Sequence, residues 1–194
     1  MLKERYFIFK VCHSCMKLGK EFFEGHATEV AQALLGKVLK FKGCSGIIVE
    51  TEAYADDGAS HAARRTKRSE PLFEKYGTTY VYLNYGMYNL FNFTCNKDGP
   101  GGILIRALEP VDGIKKMKRR RNVEKEVDLC NGPGKLCQAF GINMKQHDKE
   151  LGEVEVYDIG LKPKMVKTTR IGISFSQDLK WRYYIKGNSY ISKK

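Results

Sequence analysis

No stretch of this 194-residue chain approaches the ~20 consecutive apolar residues that a membrane-spanning helix needs. The most apolar run, Tyr6-Phe7-Ile8-Phe9-Lys10-Val11-Cys12, is short and interrupted by a lysine. No small-residue cleavage site follows it, so it does not read as a secretory signal. Cysteine is sparse: six residues (Cys12, Cys15, Cys44, Cys95, Cys130, Cys137) are too few for a disulfide scaffold at this length. Reduced thiols in a cytoplasmic protein are the simpler account. Cys12-His13-Ser14-Cys15 has zinc-knuckle spacing, but a second close pair is missing because Cys130 and Cys137 lie seven apart. A closed zinc site takes four ligands with short internal spacings, so no metal is assigned. There is no internal repeat and no linker long enough to divide the chain into separate domains.

What is present suits one globular domain of ordinary size, with 42% hydrophobic and 29% charged residues. Lys plus Arg number 34 against 22 Asp plus Glu, a net charge of +12. The excess is clustered in Arg64-Arg65-Thr66-Lys67-Arg68 and in Lys115-Lys116-Met117-Lys118-Arg119-Arg120-Arg121. A looser group comprises Lys162, Lys164, Lys167 and Arg170. Such patches attract polyanions by releasing counterions, which makes nucleic acid the leading partner class and a merely solubilising surface the alternative. Residues 1–20 are read as an N-terminal extension and a candidate for disorder, with one domain over 21–194. Met16 is a second candidate start.

The organising stretch is Ile47-Ile48-Val49-Glu50-Thr51-Glu52-Ala53-Tyr54. Three β-branched residues after the Gly43-Cys44-Ser45-Gly46 turn signal predict a strand, hairpinned with Val38 to Lys42. Strict alternation turns Ile47, Val49, Thr51 and Ala53 to a core and Ile48, Glu50, Glu52 and Tyr54 to the other face. A carboxylate placed there can lose water, rise in pKa and serve as a general base. The plain alternative is a half-exposed strand with solvated glutamates.

Elsewhere, Thr28 is positioned to cap a helix over Glu29 to Leu35 that ends at Gly36. Ala55 to Tyr76 reads as loop, with His61 inside it. Thr78 to Tyr85 is a second strand, with Tyr80, Tyr82 and Asn84 on one face. Gly86 turns the chain into Met87 to Phe93, leaving Tyr85 and Met87 at an exposed tip that needs a cover. Ile103 to Leu108 is a third strand, with Ile103, Ile105 and Ala107 on one face and Leu104, Arg106 and Leu108 on the other. An arginine between leucines needs a carboxylate or phosphate partner. In the basic segment after Pro110, Ile114 and Met117 share a helix face while the cations face solvent or ligand. Gly132 to Phe140 is a glycine-rich loop leading into a helix, with Lys135 beside a helix start suited to anions. Residues 153 to 191 alternate in short runs, among them Ile171 with Ile173, and predict further strands.

Four blocks in this order resemble the alkyladenine (methylpurine, 3-methyladenine) DNA glycosylases. They are Ile48-Val49-Glu50-Thr51-Glu52-Ala53-Tyr54, Tyr80-Val81-Tyr82-Leu83-Asn84-Tyr85-Gly86-Met87-Tyr88, Ile105-Arg106-Ala107-Leu108-Glu109-Pro110 and Asn131-Gly132-Pro133-Gly134-Lys135-Leu136-Cys137-Gln138-Ala139. The resemblance runs from about Glu21 to Gly187. It implies an α+β fold: a single compact domain with a mixed, largely antiparallel sheet flanked by helices, and a protruding hairpin that inserts into DNA. It also implies a monofunctional DNA N-glycosylase of base-excision repair that flips damaged purines out of the duplex, hydrolyses the N-glycosidic bond and leaves an abasic site.

By the same resemblance, Glu52 activates the water and Arg106 orients Glu52 or the water, or binds the adjacent phosphate, while a backbone carbonyl near Ile173 helps hold the water. Tyr54 and His61 face Tyr82 across the flipped base, Tyr80 supports the pocket, and Asn92 rejects guanine's exocyclic amine. Tyr85, with Met87, enters the minor groove as a wedge. Lys135, Lys118 and Arg119 are candidate phosphate contacts. The segment from Tyr54 to His61 is slightly short for the family. No metal or organic cofactor is implied, and the expected partner is double-stranded DNA containing damaged purines, with no membrane. The protein is expected to be a monomer, at the nucleoid in the cytoplasm of a bacterium or in the nucleus of a eukaryote. Two competing readings are a helix-hairpin-helix glycosylase, suggested by Gly132-Pro133-Gly134 and opposed by the β pattern, and a non-catalytic nucleic-acid-binding module.

Overall fold

The computed structural model describes residues 15–95 and 99–193. Cys12, His13 and Ser14 of the knuckle spacing, the apolar run at 6–12 and Asp98 lie outside the described residues. Residues 16–20, read as part of an extension, belong to the fold: β1 (Met16–Lys17) pairs with β7 (Glu155–Asp158), and Leu18 is buried in the core.

The sheet runs β1-β7-β2-β3-β6-β5-β4, and every pairing among the described residues is antiparallel. β2 (Val38–Phe41) and β3 (Cys44–Tyr54) form a hairpin. Its turn is Lys42-Gly43, both left-handed (φ 45° and 74°), so β3 starts three residues earlier than its β-branched run implied. The hairpin of β4 (Thr79–Asn84) and β5 (Tyr88–Thr94) joins β6 (Gly102–Asp112), which runs along the full length of β3. On β3's other edge, β2 pairs with the first half and β9 (Arg182–Ile185) pairs with Glu50 to Glu52; β8 (Met165–Thr168) lies outside β9. β3 is therefore the hub of the sheet.

Two of the three irregularities in the β3–β6 ladder, those between Ile48 and Thr51, overturn the strict alternation. Ile48 faces Leu108, the next partner pair is Glu50 with Ala107, and the one after is Thr51 with Ile105. Val49 is thus an extra residue on β3 and Arg106 an extra residue on β6. Each bulge shifts the side-chain period by one. Ile48 therefore joins Ala53, Ile103, Ile105 and Leu108 in the main core, on the same side of the sheet as Thr51, whose hydroxyl donates to the Ala31 carbonyl at 2.8 Å. Val49 and Ala107 go to a separate small cluster on the opposite side. Glu50, Glu52 and Arg106 are left together on that opposite face.

Helix α1 (Ala27–Ala33) covers β3 and begins two residues before the expected start. His26 is its cap, its Nδ1 accepting from the Thr28 amide, and Thr28 lies inside the first turn. Helix α2 (Pro71–Glu74) is a single turn in the long segment after β3. Helix α3 (Ile114–Arg121) buries Met117 against the core and packs on α4 (Pro133–Phe140). Not all of its cations face outward: Arg120 Nη1 donates to the Ala139 and Phe140 carbonyls at 2.9 and 2.7 Å, capping the C-terminus of α4. Among the described residues no helix is long and apolar enough to cross a membrane.

Gly113, at the start of α3, has φ 76°, and a Cβ there would lie 2.5 Å from the Gly43 carbonyl oxygen. Left-handed strain and a clash with backbone act together. Gly113→Ala is expected to cost about 2 kcal/mol or more, lowering the thermal midpoint by several degrees in a melting experiment.

Candidate active site

Past the bulge, Glu50 and Glu52 are both fully buried, and two arginines neutralise them. Arg106 donates from Nη1 to Glu52 Oε2 at 3.0 Å and from Nε to Glu50 Oε1 at 3.1 Å. Arg182, paired with Glu52 in the β3–β9 ladder, donates from Nε to the same Glu50 oxygen at 2.7 Å. Two carboxylates and two guanidinium groups form one hydrogen-bonded set with no net charge, the arrangement under which ions tolerate burial. Burial alone would lower the Arg106 pKa; the charges of Glu52 and Glu50 outweigh it and hold the guanidinium above its ordinary value.

Glu52 accepts two further hydrogen bonds, from the Tyr54 hydroxyl to Oε2 at 2.9 Å and from the Ile171 amide to Oε1 at 2.7 Å. Oε2 then holds two donors and Oε1 holds one, which leaves an acceptor position on Oε1. Desolvation first, then the charge of Glu52, keeps the Tyr54 phenol well above its usual pKa and so protonated. Tyr54, Arg106 and Ile171 all line a cavity of about 510 Å³, so the carboxylate sits directly behind the cavity wall.

That wall is aromatic. Tyr80 and Tyr82 project from the same face of β4, and Asn92 pairs with Tyr80 across the ladder, donating from Nδ2 to its carbonyl at 3.1 Å. His61 Nδ1 lies 2.9 Å from the Tyr80 hydroxyl. Burial pushes the Tyr80 phenol up to about 12, against the charge of Arg68, which lowers it. Burial, and then the charge of Arg68, hold His61 below its ordinary pKa, so the imidazole is neutral at pH 7. The His61 and Tyr82 ring centroids are only 4.5 Å apart, edge to face. A base stacked between two rings needs about 7 Å, twice a carbon–carbon contact. At this spacing no further ring fits between Tyr82 and His61, the first residue of the one-turn 3-10 segment His61–Ala63.

The hairpin tip is the most exposed apolar part of the site. Tyr85 is 81% and Met87 68% exposed, and Tyr85 and Gly86 both adopt left-handed backbone (φ 50° and 68°), closed by the Met87 amide onto the Asn84 carbonyl. A tyrosine in that conformation costs about 1 kcal/mol relative to glycine, so the ring is held out at the expense of stability. Gly134, at the start of α4, packs against Tyr88 and lines the cavity mouth with Pro133. Lys135 is exposed beside them and bonded to Asn131. Lys118 pairs with Glu124 and Arg119 is exposed, both on α3, which contributes no residue to the cavity lining.

Several participants stand differently from the sequence expectations or have no counterpart among them. Arg170, grouped above with surface lysines, is buried: it pairs with Asp57 at 2.8 Å and stacks between Tyr54 and Trp181, 4.7 and 5.2 Å from their centroids. Ile171 and Ile173 do not form a strand; they belong to a loop on the cavity rim whose amide at Ile171 reaches Glu52, while the Ile173 carbonyl accepts from Gln177. On the same rim Phe175 is 66% exposed. Glu50 and Ser192 stand behind Arg106. The only signals for these residues are an aromatic and arginines outside any periodic pattern.

The profile of the methylpurine-DNA glycosylase family matches residues 21–189. A protein of Clostridium botulinum, provisionally named a 3-methyladenine DNA glycosylase, is 45% identical over 92% of this chain and all of its own length. Proteins with the same provisional name from Prosthecochloris aestuarii and Rhizobium etli are each 44% identical over 90% of this chain, and over 90% and 88% of theirs. With a buried carboxylate behind an aromatic cavity beside an exposed hairpin, the molecule is a DNA glycosylase, a hydrolase acting on N-glycosyl bonds. It belongs to the methylpurine-DNA glycosylase family.

His61 is expected to titrate below the ordinary histidine value in 15N NMR, and Arg68→Ala is expected to raise that midpoint. Because the folded protein resists a proton that the unfolded chain accepts, this histidine's contribution lowers stability as pH falls below about 6.5.

Proposed function

We propose that the protein excises alkylated or deaminated purines, the class of 3-methyladenine, 7-methylguanine, hypoxanthine and ethenoadenine, from duplex DNA. It acts as a monofunctional monomer that uses an activated water and leaves an abasic site. The observation that carries this reading is the setting of Glu52: fully buried, held by Tyr54, Arg106 and the Ile171 amide, and separated from an aromatic cavity only by those donors.

The duplex conceals a glycosidic bond, so the nucleotide must leave the stack before chemistry. Tyr85, rigidly presented with Met87 at the tip, fills the vacated space, while Lys135 at the cavity mouth, with Lys118 and Arg119 farther off, steadies the backbone. The extruded purine displaces His61 from Tyr82 and lies between Tyr82 on one side and Tyr54 with His61 on the other. Tyrosine faces favour a cationic alkylated ring, and a neutral His61 avoids repelling it. Asn92 crowds guanine's exocyclic amine, and Tyr80, bonded to His61, backs the pocket.

A water admitted at the Arg106–Ile171 edge occupies the remaining acceptor position of Glu52 Oε1. Glu52 takes its proton as the oxygen attacks C1′, and the electron pair of the breaking bond goes to the purine, which is either already cationic through alkylation or protonated in place. The carboxylate's charge also favours the cationic sugar that develops. Arg106 keeps Glu52 oriented throughout.

Glu52→Gln is expected to retain binding to lesion-containing duplex and to lose base release by at least about 100-fold, the ordinary value of a positioned base. Base release at the wild-type rate would overturn the role, and tight binding without release by the wild-type protein would favour the non-catalytic module. Tyr85→Ala is expected to slow excision of a normally paired lesion several-fold more than excision of an unpaired one; equal slowing of both removes the wedge.

A further inference from the structure

We propose that the C-terminal strap Tyr190–Lys193 positions the reaction centre, with Ser192 and Glu50 acting through Arg106 on Glu52; this rests on the reading of Glu52 as the base. The strap lies on the face of the sheet away from the main core, over the two bulges. Ile191 packs on Val49, the extra residue of β3, and on Ala107, the neighbour of Arg106. One residue on, Ser192 donates from its amide to Glu50 Oε2 and from its hydroxyl to Glu50 Oε1 at 2.8 Å. The same hydroxyl oxygen accepts from Arg106 Nε at 3.4 Å and Nη2 at 3.3 Å. The Lys193 carbonyl accepts from Arg182 Nη2. Ser192 and Lys193 thus bond different members of the buried ion set, and Ile191 packs on the bulges beside it.

Glu50 does not line the cavity and touches no reacting atom, yet it is fully buried. Its role is to fix the fork of Arg106. A guanidinium is planar, so anchoring Nε and Nη2 from below sets where Nη1 points, and Nη1 is the atom that holds Glu52. Ser192 in turn fixes both oxygens of Glu50. Among the described residues the Ser192 amide is the donor to Glu50 Oε2, so without the strap that oxygen is unmet and water reaches the pair. The consequence is a carboxylate displaced by a fraction of an ångström, with the substrate cavity intact, because none of the strap residues lines it. Displacements of about 1 Å cost catalysis as much as 100-fold.

The experiment compares full-length Ser192→Ala, Ser192→Thr and Ile191→Ala with the wild type on a hypoxanthine-containing duplex. It measures the single-turnover excision rate, the dissociation constant and the thermal midpoint. Ser192→Ala is expected to excise about 10-fold more slowly with the dissociation constant changed less than about 2-fold, and Ser192→Thr, which keeps the hydroxyl, to recover most of the rate. Ile191→Ala lowers the midpoint without this split between rate and affinity. Wild-type excision by Ser192→Ala overturns the proposal, as does a loss of rate, affinity and midpoint in proportion. Glu52→Gln in the same assay separates the two levels. If it is inactive while Ser192→Ala is normal, only the strap's role falls; if it excises normally, the reading of Glu52 falls and takes this proposal with it.

Discussion

Two carboxylates on one strand, two residues apart and both out of water, are the constraint to which the rest of the molecule answers. Left uncompensated they would repel each other and forfeit hydration, and breaking such a set by removing one partner ordinarily costs several kcal/mol. The compensation comes from distant segments of the chain: Arg106 on β6, Arg182 on β9, the Ile171 amide on the rim loop and Ser192 near the C-terminus. Two of these carry the balancing charge and two add neutral donors, so the hydrogen-bonded set is complete only when all four segments are in place.

The paired bulges make this balance geometrically possible. In a regular ladder, Val49 and Glu50 would point to opposite sides, as would Arg106 and Ala107. One extra residue in each strand lets Ile48 and Leu108 remain in the core while Glu50, Glu52 and Arg106 converge on the other face. β-Bulges recur next to active sites for this reason. The hub position of β3 adds to it: β6 on one edge and β9 on the other bring an arginine from each side to the same carboxylate.

Much of this is legible in the sequence, and the rest is hidden for identifiable reasons. β4 and β5, the tip at Tyr85, the basic helix and the helix after Gly132 follow from period and turn chemistry, because each is a local feature. Arg106, Tyr80 and Tyr82, drawn from separate blocks, line one cavity, with Glu52 bonded to Arg106 behind it. The facings of β3 and β6 beyond their bulges depart from simple alternation, since a bulge leaves no mark in a pattern that remains apolar on both sides. Arg170 reads as a surface residue because charge clustering in sequence says nothing of a salt bridge to Asp57, 113 residues away. Ser192 carries no pattern at all; its importance exists only through contacts 86 and 142 residues distant. The closure of His61 on Tyr82 is likewise a matter of loop conformation, to which side-chain periodicity is blind.

The stacking of Arg170 between Tyr54 and Trp181 has an optical consequence. Trp181 is the single tryptophan of the chain, so its emission arises from one environment, with a guanidinium over the indole and His26 at its edge. The other side of that guanidinium is the ring of Tyr54, a wall of the cavity. The chain's single indole fluorophore thus stands two stacked groups, one cation and one phenol, behind the wall of the cavity.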